Sequence, residues 1–254
     1  MDSTGERLVL GKSKALLENE HLARYRYAMQ LIGGKRVADI ACGTGYGTQM
    51  LAKAGAQSVH GMDLSEEAVD FCRENYNTPN VTYSVANAQK LAAIGNSEFD
   101  LVVSFETIEH LPGVEAYLDE MVRILRPGGR FLVSTPDRRI ASVMYRFFGR
   151  PANKHHVREY TEGELLNLLS TRFQIEATYG QAFVAWWLVI WPIQFCIKSL
   201  CRIINTKRAR SFKDNLYSSG GNVEVIKKAS TFKIPKYWVV SCIRPDQAAR
   251  PEVG

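Results

Sequence analysis

Arg36-Val37-Ala38-Asp39-Ile40-Ala41-Cys42-Gly43-Thr44-Gly45-Tyr46-Gly47 is the stretch on which the reading of the fold turns. Its first half is short and apolar, as expected of a strand buried on both faces of a parallel sheet. Its second half carries a glycine at every other position, and missing side chains let a ligand approach the backbone closely. Glycine turns of this kind serve dinucleotides and phosphates as well as other ligands, and some are plain turns. Working outward, residues 16–31 read as a helix with Leu16, Leu22, Tyr25, Ala28, Met29 and Ile32 near one face, ended by Gly33-Gly34. Downstream, residues 58–62, 81–85, 101–105 and 130–134 read as strands and residues 66–75 and 114–125 as helices, the last stopped by Arg126-Pro127-Gly128-Gly129. Thr161 with Glu164 predicts a capped helix through Leu169, and residues 173–179 and 237–243 alternate as closing strands. The expected fold is α/β: a doubly wound, mostly parallel seven-stranded sheet with helices on both faces. The expected layout is a helical cap at 1–34, a core of 35–180 and 237–246, an apolar helical insertion at 181–236, and a tail at 247–254.

A chain of 254 residues, 46% hydrophobic and 23% charged, fits one globular domain with additions and excludes a disordered or multi-span membrane protein. No apolar run opens the chain, so no secretory signal is expected and the protein is placed in the cytoplasm. The five cysteines form no CxxC pair and no zinc-type spacing, which points to reduced thiols filling core and loop positions. Charge is uneven. Residues 1–130 carry 13 Lys/Arg against 17 Asp/Glu (net −4), and residues 131–254 carry 19 against 9 (net +10), together the +6 of the whole chain. The basic second half suits either an anionic partner (phosphate, acidic lipid or nucleic acid) or a solvated basic face.

Asp63 follows the second predicted strand, where an acidic side chain in such sheets accepts hydrogen bonds from ribose hydroxyls; a helix N-cap is its simpler role. With VADIACGTGYGT at 37–48, VHGMDLS at 59–65, FDLVVSFETIEHL at 99–111 and EMVRILRPGGRFLVSTPD at 120–137, residues 16–136 resemble the class I S-adenosylmethionine-dependent methyltransferase family. The resemblance implies a Rossmann-like fold and S-adenosyl-L-methionine as cofactor. It implies Gly43 and Gly45 against the methionine part of the cofactor, Asp39 anchoring the loop or the amino group, and Asp63 on the ribose. Ala41, Thr44, Leu64 and Phe105 join the implied cofactor contacts. Asn87-Ala88 stands where the family has Asp-Ala beside the adenine, and Asn keeps a side-chain carbonyl able to accept from the adenine amino group. Arg24, in Glu20-His21-Leu22-Ala23-Arg24-Tyr25, matches a family arginine that meets the cofactor carboxylate; a surface arginine is the alternative.

Ligands in open α/β sheets bind outside the carboxyl ends of the strands, which directs attention to Glu106, Glu109 and His110 after residues 101–105. Methyl transfer needs an aligned acceptor and a base, and His110 ordinarily titrates near neutrality. The spacing E-x-x-E-H also admits a divalent cation (Mg²⁺, Mn²⁺ or Zn²⁺) shared by Glu106, Glu109 and His110. This spacing is similar to two groups, the ubiquinone-biosynthesis O-methyltransferases and the small-RNA 3′-end 2′-O-methyltransferases. His156, in a stretch resembling H-x-R-E-[YWF]-T, is a fourth catalytic or metal candidate, or a loop histidine at a helix entry; His155 and His21 are secondary candidates.

Residues 182–191 are intensely apolar, with three tryptophans, and Lys198, Arg202, Lys207, Arg208, Arg210 and Lys213 follow. This composition fits an interfacial element over residues 182–213 at the inner membrane face, a hydrophobic lid over the acceptor pocket, or an oligomer interface. The expected function is O-methylation of a small-molecule, glycan or lipid-linked acceptor. RNA 2′-O-methylation and a cofactor-binding scaffold without catalysis are the alternatives, and the intact Gly43, Gly45, Asp63 and His110 weigh against the scaffold.

Overall fold

The computed structural model describes residues 15–142, 149–185, 224–227 and 233–246. Strands β1 (Arg36–Ile40), β2 (Ser58–Asp63), β3 (Val81–Val85), β4 (Phe99–Phe105), β5 (Leu125–Pro136), β6 (Gln174–Ala185), β7 (Ile226–Lys227) and β8 (Lys233–Ile243) form one sheet. Its order is β3-β2-β1-β4-β5-β8-β6-β7, parallel through β5 and antiparallel beyond it. Seven strands are long. β7 adds a two-residue edge opposite Tyr179 and Gly180.

Helices α1 (Ala15–Met29), α2 (Tyr46–Lys53), α3 (Glu66–Asn75), α4 (Val114–Ile124), α5 (Arg138–Ala141) and α6 (Glu162–Ser170) flank the sheet. Pleating sends successive residues to opposite faces. Val37, Leu101, Val103 and Leu132 pack with Tyr25, Ile32 and Leu51 on one side, while Ala38, Val102, Phe131 and Val133 pack with Tyr117, Met121 and Leu165 on the other. Thr161 and Glu164 close a reciprocal capping box at the start of α6, as their spacing predicts.

Three sequence expectations change. First, α1 buries Glu20, Ala23, Arg24, Tyr25 and Ala28 and leaves Leu16 exposed, so its inner face is partly charged rather than an apolar stripe. Second, Arg126-Pro127-Gly128-Gly129 ends α4 yet belongs to β5: the register shifts between Phe99 and Leu101, and Gly128 and Gly129 exchange backbone hydrogen bonds with Arg244. Third, β6 and β8 run on into the span expected as a helical insertion at 181–236. Ala185 pairs with Lys233, and Ala182 and Val184 are buried in the sheet. The expected interfacial element over 182–213 therefore begins as strand; residues 186–213 lie outside the described residues. No helix among the described residues is long and apolar enough to cross a membrane.

Candidate active site

A cleft of about 410 Å³ opens at the carboxyl ends of β1, β2 and β4, where the strand order reverses. The half expected to hold the cofactor is built by the β1–α2 turn. Ala41, Gly43 and Gly45 hold φ of 58°, 57° and 77°, a left-handed backbone that folds the loop tightly. A methyl group on Gly45 would stand 2.6 Å from Cys72 Sγ, and one on Gly47 would stand 2.0 Å from Tyr25 Cζ. The glycines thus let α3 and α1 close on the turn.

Asp39 does not line the cleft. It is buried and accepts from Thr48 Oγ1 at 2.7 Å and Tyr25 Oη at 3.1 Å, which makes it the anchor of the loop. Burial pushes its carboxyl up to about 7, with the Asp63 charge adding to the shift and the two hydroxyl donors opposing it. Asp63 does line the cleft; its two oxygens accept from Gly43 N and Ser65 N, each at 2.9 Å, and each keeps a lone pair for a ribose diol. Ala41, Gly43, Thr44, Leu64, Asn87, Ala88 and Phe105 line it too, and Leu64 is 70% exposed. Asn87 Oδ1 already accepts from Gln89 N at 2.9 Å, so it has one lone pair left for an adenine amino group.

Arg24, beside the cleft-lining Glu106, has no exposed surface, so it is not a surface arginine. Its Nη1 donates to Gln181 Oε1 at 3.0 Å and lies 3.5 Å from Glu106 Oε1, while Nε and Nη2 have no hydrogen-bond partner. Spare donors on a buried guanidinium, beside a glycine turn and a ribose-ready carboxylate, fit the carboxylate end of S-adenosylmethionine.

Where His110 lines the cleft, the short helical turn Ile108–His110 after β4 turns Glu109 inward. Glu109 is 1% exposed; its Oε2 accepts from Thr135 Oγ1 at 3.0 Å, and its Oε1 is 4.0 Å from His110 Nε2. Burial first, and the Glu106 charge second, raise its carboxyl well above the usual range. Its carbonyl accepts from the Val157 and Arg158 backbone N–H groups at 2.8 and 3.1 Å, which pins the 149–160 loop to this turn. That pinning brings His156 against His110 edge to face, with ring centroids 4.8 Å apart. His156 Nδ1 bonds Glu159 Oε1 at 2.7 Å.

Of the four metal candidates, Glu109, His110 and His156 come together, with ligand atoms within 4.8 Å of one another. Glu106 stands apart: its backbone is left-handed at φ 54°, and its Oε1 accepts from Ser134 Oγ at 2.8 Å on the side of Arg24. Sequence reasoning missed Tyr25, Tyr46, Cys42, Glu159 and Gln181. Glu159 had a signal in its three-residue spacing from His156. Gln181 had none, because its partners lie more than 150 positions away.

Residues 38–133 match the methyltransferase-domain family. The chain belongs to the S-adenosylmethionine-dependent methyltransferases. Its relatives include a protein of Mycolicibacterium smegmatis named as a probable S-adenosylmethionine-dependent methyltransferase, 37% identical over 184 residues that cover 70% of this chain and 67% of that protein. A ubiquinone biosynthesis O-methyltransferase of Xanthomonas oryzae pv. oryzae is 30% identical over 166 residues, 61% of this chain and 69% of the relative. Among solved structures, an S-adenosylmethionine-dependent methyltransferase from Mesorhizobium loti superposes with a TM-score of 0.58 at 21% identity, covering 89% of this chain and all of the other, and so shares the fold.

Proposed function

We propose that the protein transfers a methyl group from S-adenosylmethionine to a hydroxyl oxygen of a small-molecule, glycan or lipid-linked acceptor, with His110 as general base. The observation that carries this is the setting of the His110 ring on the cleft wall. Its Nδ1 lies 3.1 Å from the His155 carbonyl oxygen. A carbonyl only accepts, so the proton sits on Nδ1 and the basic lone pair on Nε2. The cofactor, when bound, supplies an electrophilic methyl group on a sulfonium sulfur. The chain aligns the acceptor hydroxyl in line with that methyl group, and Nε2 takes the hydroxyl proton. Glu109 Oε1 lies 4.0 Å from Nε2, and in its carboxylate form it stabilises the imidazolium that results. The relative named as a ubiquinone biosynthesis O-methyltransferase supports oxygen as the acceptor atom, and the tryptophan-rich stretch at 182–191 supports an apolar or lipid-linked acceptor.

The test is methyl transfer from labelled cofactor to phenolic, glycan and membrane-extract acceptors. His110→Gln is expected to lower kcat by about 10²–10⁴-fold, the usual worth of general base catalysis, while product cofactor binds as before. Unchanged turnover in that variant defeats the reading, and label found only in RNA replaces the acceptor class.

A second reading adds a divalent cation on Glu109, His110 and His156, favoured by the convergence of their ligand atoms. Glu159 on His156 Nδ1 and the His155 carbonyl on His110 Nδ1 leave both Nε2 atoms as the ligating nitrogens. Calorimetric titration with Mn²⁺, Zn²⁺ and Mg²⁺ is expected to give a single site that Glu109→Ala abolishes. No heat of binding with any of the three removes it.

A further inference from the structure

The antiparallel pair β6–β8 meets α1 through a buried polar network behind the cofactor half of the cleft. Gln181, on β6, is fully buried, and its amide is engaged at both ends: Oε1 accepts from Arg24 Nη1 at 3.0 Å and Nε2 donates to the Glu20 carbonyl at 2.7 Å. Its register partner Tyr237, on β8, sets its ring 4.7 Å from the Arg24 guanidinium carbon. Next to it Lys236 pairs with Glu20 at 2.9 Å. Arg24 is thus gripped from the sheet side through Nη1, with Nε and Nη2 left over.

Unpaired N–H groups on a buried cation are costly, because they have lost water and gained nothing in return. Glu106, which lines the cleft, faces this cation at 3.5 Å, beyond a good hydrogen bond, and its strained backbone holds it there. A cation with spare donors and a carboxylate with spare lone pairs, held slightly apart, are complementary to a zwitterion. The amino-acid end of S-adenosylmethionine is one: its carboxylate matches Arg24 and its ammonium matches Glu106.

We propose that Gln181 is a positioning residue for the cofactor, holding Arg24 in the orientation in which Arg24 and Glu106 together receive the amino-acid end of S-adenosylmethionine. Gln181 touches no part of the ligand; it acts through Arg24. The inference rests on the cofactor placement described above and is independent of the acceptor and of the role of His110.

The test compares two ligands by calorimetry. S-adenosylhomocysteine carries the amino-acid end, whereas 5′-methylthioadenosine keeps the adenosine and the sulfur without it. Gln181→Leu is expected to weaken S-adenosylhomocysteine by about tenfold or more, the worth of a hydrogen bond to a charged group, and to leave 5′-methylthioadenosine unchanged. Gln181→Asn, which keeps an amide but draws it back from Arg24, carries the same selective signature and decides the matter should Gln181→Leu fail to fold. In steady state, KM for S-adenosylmethionine rises while kcat at saturation stays near wild type, as for an interaction present equally in ground and transition states. Equal losses for both ligands would mark Gln181 as merely structural and overturn the proposal, as would full affinity for S-adenosylhomocysteine. Methyl transfer is scored separately: its absence with the ligand pattern intact counts against the acceptor reading and supports this one.

Discussion

At the scale of single residues, the loop is organised by groups beneath the lining of the cleft. Asp39 is the clearest case: it lies under the glycine turn, bonded to Thr48 and Tyr25, and its folded-state value of about 7 stands well above the ordinary aspartate value near 4. Between those two values the folded chain binds more protons than the unfolded one, so its stability falls as the pH rises. The stabilisation is full below about pH 4 and is lost as the pH climbs to about 7, at roughly 1.4 kcal/mol per pH unit. Asp39→Asn keeps the shape and removes the titration. Its melting temperature is expected to vary less than that of wild type between pH 5 and 8 and to exceed it at the alkaline end, measured on ligand-free protein. The candidate residues drawn from motifs mostly reach the cleft, yet Asp39 and Gly45 support it from behind. A linear motif marks which positions matter and is silent on whether a side chain faces ligand or scaffold.

At the scale of elements, the decisive piece is the 149–160 loop, which brings His156 to His110. It is pinned at one end by the Glu109 carbonyl and at the other by α6, whose capping box begins one residue after Tyr160. Thr161→Ala removes the cap and is expected to cost about 1 kcal/mol, lowering Tm by about 2–4 °C for a chain of this size. Thermal melts check this, and a loss of turnover larger than the loss of folded protein would show that the loop had moved His156. The capping box was legible because both partners lie within four residues. The inner face of α1 was not: periodicity counts apolar side chains, and this helix buries Glu20 and Arg24 against Lys236 and Gln181 on strands distant in sequence.

At the scale of the whole molecule, the described residues that line the cleft all lie between His21 and His155, and none of them comes from β6 or β8, the strands on either side of residues 186–223. Replacing residues 188–222 with a short glycine-serine linker is therefore expected to leave S-adenosylhomocysteine affinity within about twofold, the additivity margin for separated sites. Calorimetry measures it. A larger loss would mean that the replaced segment reaches the cofactor, and loss of acceptor turnover alone would place it on the acceptor side. Binding of wild type and the linker variant to anionic vesicles separates a membrane role from a lid.

The sheet, the cofactor class and the position of the turn after the fourth strand were legible in the amino-acid sequence. These rest on local patterns: an apolar run entering Asp39 to Gly47, an acidic residue after the next strand, and Glu106 to His110 at the end of the fourth. Backbone preference and nearby side chains set such features within a few residues. Only the tertiary structure decided that Glu106 turns to Arg24 while Glu109 joins the two histidines, and that Gln181 sits against Arg24. The reason is that burial and pairing of charge depend on which strands become neighbours, and the order β4-β5-β8-β6 joins residues more than 150 positions apart.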